Sequence, residues 1–360
     1  MTMPGEVAPR DRLTWLDYAK TIGIVLVVFA HASRSIGRTS GLVWSDSLQT
    51  LDGVIYAFHM PLFFLLAGYA ASLQARQSTQ SFARSLWWGV AVPYVVWSAI
   101  WIGLKVFLPE AANVPLGISA LGKILWQPVE HFWFLYHLFF IRVGWYGIHR
   151  LDRNRDLLPA VVLIAAIVVW AILKTAMPSF DWAAGFIFNF AIYGLGTSRL
   201  QPFLQHWSER PALALCTLGA ALSLCGIAIG GTAATLLWAV GGALVVCGLA
   251  KTLPHPSAWV WRAFAFLGEA SLAIYVMHLI VGATVRAVLS KSGLLTESTL
   301  LVSATLAGLL VPAVAYWIVL SAAQAAGYPL ARWSGLGPAT RSAYVPLWLA
   351  APPKPSLSAS

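Results

Sequence analysis

Charge is what this 360-residue chain has least of: Asp, Glu, Lys and Arg make up 10% of it, against about 25% in an ordinary soluble domain. Only 13 residues are acidic and only three are cysteines. The first shortage excludes a soluble globular enzyme. The second excludes a disulfide framework. Cys216, Cys225 and Cys247 fall in apolar segments without metal-ligand spacing or a neighbouring histidine, so they read as buried small hydrophobes, and no metal is expected. Although the formal net charge is +10, basic runs and recognition motifs are missing, which argues against nucleic acid. Internal repeats are missing too, and no stretch between the apolar runs is long enough to fold as a second domain.

What the chain has instead is hydrophobic length. Hydrophobic residues make up 59% of it and the mean hydropathy is +0.74, with 18 Trp and 11 Tyr to anchor two membrane interfaces. Roughly 20 apolar residues cross a bilayer core. Candidate segments lie near 17–36, 54–73, 84–106, 131–149, 157–175, 183–199, 211–229, 232–250, 264–285 and 299–324. The expected class is all-α: a polytopic bundle of about ten transmembrane helices. With the N-terminus inside, every basic residue except Arg34, Arg38, Lys105, Lys123, Lys174, Arg286 and Lys291 falls on a cytoplasmic loop or helix end. That bias fits the positive-inside rule and places both termini in the cytoplasm. Residues 1–345 then form one membrane domain, and the Pro/Ser-rich tail 346–360 is expected to be disordered. A secretory signal peptide is the rival reading of the first segment, with Ala30 and Ala32 as its small-residue pair. Asp17 and Lys20 oppose it, because they stand where a cleavable signal is already apolar.

Polar residues inside these segments are costly and mark function. His31 follows Lys20 by eleven positions, roughly 16 Å along a helix, so Lys20 sits at the cytoplasmic face and His31 in the outer half. His59 in the second segment, Glu130, His131 and His137 in the fourth, and His278 in the ninth all fall near the depth of His31. Tyr275 shares a helical face with His278 three residues on. Four segments bringing imidazoles to one layer predict a polar cavity open to the outer side. Hydrogen bonds between helices are the plainer use for any one ring.

Four stretches in order, "WLDYAKTIGIVLVVFAH", "FHMPLFFLLAGY", "HFWFLYHLFF" and "FLGEASLAIYVMHL", resemble the acyltransferase 3 family of integral membrane proteins. The nearest likeness is to its fucose 4-O-acetylase-like branch, and it covers nearly the whole chain. Its most specific element is a basic residue, ten positions, then His, here Lys20 and His31 with Asp17 before them. The resemblance implies a bundle in a bacterial inner membrane that takes an acyl group, usually acetyl, from cytoplasmic acyl-coenzyme A to a sugar hydroxyl at the outer face.

Coenzyme A is polyanionic and confined to the cytoplasm, so cations should meet its phosphates there, and Lys20 and Arg84 are positioned for that. Its pantetheine arm would thread the bundle toward His31. There the imidazole would act as general base on the acceptor hydroxyl, with Glu130 as its partner if the fourth segment lies alongside. His59, Tyr275 or Trp133 are the candidate donors to the oxyanion, and Asp17, Arg34, His131 and His278 complete the expected substrate-binding set. A transient acyl group on His31 fits the same residues.

One departure concerns the donor end. The family's second Arg before a Pro-Tyr pair is replaced in "FARSLWWGVAVPY" by Trp87, and Arg76, Arg150, Arg153 or Arg155 would have to compensate. A glycan or small-anion carrier with a histidine proton relay is the alternative function, although no inverted halves are visible. An inactive scaffold among polysaccharide assembly proteins is a third. The acceptor is open among exopolysaccharide, O-antigen, a secreted oligosaccharide and a macrolide-like molecule. Its specificity is expected in outer loops 37–53 and 107–130, where Trp44 and Asp46 stand.

Overall fold

The computed structural model describes residues 13–74, 77–107, 116–152, 157–197, 209–254, 258–326 and 333–336. The tail 346–360, Arg76, Arg153 and Arg155 lie outside the described residues. Within them every regular element is helical: α1 Thr14–Gly37, α2 Asp46–Ser72, α3 Thr79–Leu86, α4 Val92–Phe107, α5 Ala120–Lys123, α6 Trp133–Leu151, α7 Leu157–Ala176 and α8 Asp181–Thr197. The chain continues through α9 Glu209–Ile229, α10 Gly231–Thr252, α11 Trp259–Glu269, α12 Ser271–Ser292 and α13 Glu297–Ala326. A backbone surrounded by hydrocarbon must satisfy its own polar groups, which leaves helices as the answer for apolar segments of this length.

Eight helical segments are long and apolar enough to cross a membrane: α1, α2, Thr79–Phe107, α7, most of α9, α10, α12 and most of α13. The chain is a multi-pass membrane protein. The expected segments at 131–149 and 183–199 also form helices, but neither reaches that standard. Arg142, Arg150, His137 and His149 interrupt α6, and α8 is 17 residues long. The expected ninth segment, 264–285, proves to be two helices. The short α11 crosses α1, where Thr21 Oγ1 donates to Phe264 O at 2.6 Å and Tyr18 packs on Phe264. Gly268 there lies so close to the Asp17 carbonyl that no side chain would fit, and after Ala270 the chain turns into α12.

Small residues set the other close crossings, as expected where apolar side chains gain nothing by leaving lipid. Gly68 of α2 and Gly196 of α8 oppose each other, and Gly219 of α9 meets the backbone of Gly241 in α10. Pro93 removes a backbone donor, and the chain just before it widens into a π-helical turn, Trp87–Ala91, joining α3 to α4. The N-cap Ser45 accepts from Leu48 N, so α2 begins at Asp46 and absorbs much of the expected loop 37–53. Of the cysteines expected to be buried, Cys247 is buried, Cys216 is half-buried and Cys225 is exposed on α9.

Candidate active site

His31 lies on α1, His59 on α2 and His278 on α12, while His131 sits in the short 3-10 turn Glu130–Phe132 that leads into α6. The rings of His31 and His278 are 5.0 Å apart between centroids, and those of His131 and His278 are 5.8 Å apart. His59 and Arg34 complete the charged and titratable surroundings of His31. The expected layer of imidazoles from separate helices is therefore present. His59, His131 and His278 are buried and His31 is partly exposed. The layer is thus closely packed, and His31 is its partly accessible member.

Hydrogen bonding within the layer is incomplete. Both ring nitrogens of His131, Nε2 of His278 and, beside His131, the indole nitrogen of Trp101 are buried without a partner. Leaving a buried polar atom unpaired costs about 1–3 kcal/mol, and such atoms gather where a ligand supplies the missing bonds. Gly308 of α13, lacking a side chain, lets that helix close on Val28 and His278. Tyr275 donates its hydroxyl proton to the His131 carbonyl, which braces the 3-10 turn from α12. That donor is therefore engaged and does not face a reacting group.

Two ion pairs flank the layer. Arg34 donates through Nε to Asp52 Oδ2 at 2.9 Å, and its guanidinium lies 4.6 Å from the Tyr56 ring centroid. Asp52 Oδ1 is buried and has no partner. Lys105 pairs with Glu130 and lies over the Trp101 ring. Glu130 adopts φ +40°, a left-handed backbone that a residue with a side chain seldom takes. Its carboxylate is thus committed to Lys105, and the group beside His31 is His278.

Lys20 pairs with Asp17 at 3.3 Å, at the opposite end of α1. Other elements bring cations to that end. Trp15 of α1 meets Tyr69 near the close of α2, and Lys251 of α10 lies over Trp15. From there α3 carries Arg84, which is exposed, and its neighbour Ser85 accepts from Arg142 of α6 at 3.1 Å. Arg150 donates to Gln77 O and to Tyr146, whose ring stacks on Phe82. Arg142 and Arg150 therefore lie near Arg84 in a region that lacks a second Arg at position 87.

The structure thus divides the expected residues into groups. His31, Arg34, His59, His131 and His278 come together. Asp17 belongs to the Lys20 end, and Trp133 packs between Phe64 and His137. His137 turns away to Asn189 of α8 at 3.4 Å, and Trp182 and Phe186 enclose it. Trp44, expected on an acceptor loop, folds onto Gly37 and donates to Ser33 Oγ at 2.8 Å. Sequence reasoning missed Lys105 and Asp52. A lysine within the apolar run "AIWIGLKVF" was the available signal for the first; Asp52, one turn before Tyr56, carried no signal beyond its charge. A groove of about 570 Å³ between α11 and α13, lined by Trp259, Phe264, Leu310 and Trp317 among others, carries no ionisable group and stands apart from this site.

A profile described as an acyltransferase domain matches residues 13–319. No curated protein matches the chain, and no solved structure does. The matched span contains α1 with its Lys20 and His31, the histidine layer and both flanking ion pairs. This chain therefore belongs to the acyltransferase 3 family of membrane acyltransferases.

Proposed function

We propose that the protein is a membrane O-acyltransferase, most simply an O-acetyltransferase, that takes acyl groups from cytoplasmic acyl-coenzyme A. The acceptor is a sugar hydroxyl of an exopolysaccharide or another surface glycan, as in the fucose 4-O-acetylase-like branch. On this reading the protein lies in a bacterial inner membrane with both termini inside. The observation that carries it is the packed rings of His31, His131 and His278, with unpartnered nitrogens on the last two and His59 nearby, set eleven residues along α1 from the cation-rich Lys20 end.

Each substrate fits its end. The phosphates of coenzyme A would meet Lys20 and Arg84, with Arg142 and Arg150 close by, where guanidinium groups favour bidentate phosphate contacts. The separation of roughly 16 Å along α1 is within the span of an extended pantetheine arm. At the far end His31 takes the proton from the acceptor hydroxyl as its oxygen attacks the thioester carbonyl. A carbon–oxygen bond forms, the carbon–sulfur bond breaks, and the thiolate recovers the proton from His31 to leave as free coenzyme A. A covalent acyl-enzyme is not required.

Purified protein in lipid nanodiscs, given radiolabelled acetyl-coenzyme A and membrane glycan, is expected to release free coenzyme A and label the glycan. His31→Ala should lose both products while still binding coenzyme A. Glycan movement across vesicles without coenzyme A release would instead identify a carrier, and unchanged glycan acetylation by His31→Ala would remove His31 from the chemistry.

A further inference from the structure

We infer that His278 is a positioning residue that fixes the tautomer and orientation of His31, the two rings acting as a dyad. The inference rests on the proposed transfer reaction, but its structural basis is independent of it. His278 Nδ1 lies 3.0 Å from Ile274 O and 2.8 Å from Tyr275 O, both backbone carbonyls of its own helix. A carbonyl oxygen can only accept, so Nδ1 carries the proton. In the neutral ring Nε2 is then a bare lone pair, and it is buried without a partner. The His278 tautomer is thus set by the backbone of α12, independently of the other side chains of the layer.

Of the two imidazoles beside the His278 ring, His31 is the nearer, with centroids 5.0 Å apart against 5.8 Å for His131. Two imidazoles joined by a hydrogen bond of ordinary length have centroids ~5 Å apart, and these rings lie at 5.0 Å. They are not hydrogen-bonded as they stand, and a turn of the partly exposed His31 ring is the adjustment needed. Once made, the bond obliges one His31 nitrogen to donate to His278 Nε2. The other His31 nitrogen is left as the lone pair that takes the acceptor proton. A base oriented by a second group is the arrangement that activates a hydroxyl nucleophile elsewhere. Here the second group is a neutral imidazole, not the carboxylate of Glu130, which Lys105 holds. The proton moves only between the acceptor, His31 and the departing thiolate, and His278 keeps its own throughout.

The other groups facing the pair do not offer the same service. His131 has both nitrogens unpartnered, so nothing selects its tautomer. His59 likewise donates Nδ1 to its own helix, to Ile55 O at 2.8 Å, but its ring meets Tyr56 at 5.4 Å, and Arg34 is held by Asp52. Gly308 approaches the Cβ and the backbone carbonyl of His278 and brings no polar group to it.

The amide of a glutamine can place an acceptor where Nε2 stands, whereas asparagine reaches only the Nδ1 position. The dyad therefore predicts that His278→Asn and His278→Ala lose at least about 100-fold in kcat, with KM for acetyl-coenzyme A within about twofold. His278→Gln should recover about tenfold over His278→Asn. A purely packing role would lower all three variants together with their thermal stability, or leave kcat untouched, and either result overturns the dyad. Selective 15N-histidine spectra of the full-length protein in micelles provide a readout that needs no activity. A single His278 tautomer with protonated Nδ1 and bare Nε2, identified by its loss in His278→Gln, is expected; a protonated Nε2 or two exchanging tautomers overturns the inference. If the wild-type protein transfers no acyl group, the functional reading falls, while the spectra still decide whether His278 presents the bare Nε2 that the dyad requires.

Discussion

Among single residues, the pair Arg34 and Asp52 has the sharpest energetic consequence. Asp52 is buried and already has one oxygen without a partner, so Arg34→Ala strands a carboxylate in a low-dielectric setting. The expected loss is about 3 kcal/mol, the low end for a buried pair because Arg34 keeps some contact with solvent. Adding Asp52→Asn should return most of it, and thermal unfolding of the detergent-solubilised single and double variants measures both steps. His31, by contrast, carries chemistry more than packing. On the proposed mechanism His31→Gln should lower kcat by about 100-fold or more at nearly unchanged stability, which steady-state kinetics and unfolding together would show. At this scale the sequence revealed the histidines, since an imidazole amid apolar residues is conspicuous on its own. It did not reveal who pairs with whom. Glu130 was the natural carboxylate for His31 by depth, yet Lys105 stands on α4 beside it, and only the packing of α4 against the 3-10 turn makes that visible.

Elements are held in place by close backbone contact, and this yields a different kind of prediction. A methyl group added at Gly196 would come within 3.1 Å of the Gly68 Cα and closer still to backbone atoms of α2. Backbone cannot swing aside as a side chain can. Gly196→Ala should therefore destabilise by about 1–3 kcal/mol, seen as a lower unfolding temperature, without altering the chemistry of the distant histidine layer. The long apolar segments were legible because 20-residue runs need no tertiary context. Three boundaries were not. The break at Ala270 follows Gly268, whose missing side chain lets it lie against α1 in a contact between residues 251 positions apart. The early start of α2 depends on the Ser45 cap. The π-helical turn before Pro93 leaves no trace in hydropathy.

For the whole molecule, orientation is the quantity to measure. Gln74, after α2, lies near the Lys20 end, and Ser40, after α1, lies near the His31 end; both are exposed. In sealed cells, a membrane-impermeant maleimide should label Ser40→Cys directly and Gln74→Cys only after permeabilisation; the reverse pattern would invert the proposed topology. Native Cys225 should be accounted for by a Cys225→Ser background, since it is exposed. Between Lys20 and His31, α1 is one unbroken helix, with no hinge or loop in the interval. On the proposed reading that continuity has a bioenergetic meaning. A space beyond the membrane with no activated thioester of its own can draw acyl groups from the interior pool, while neither coenzyme A nor the glycan has to cross.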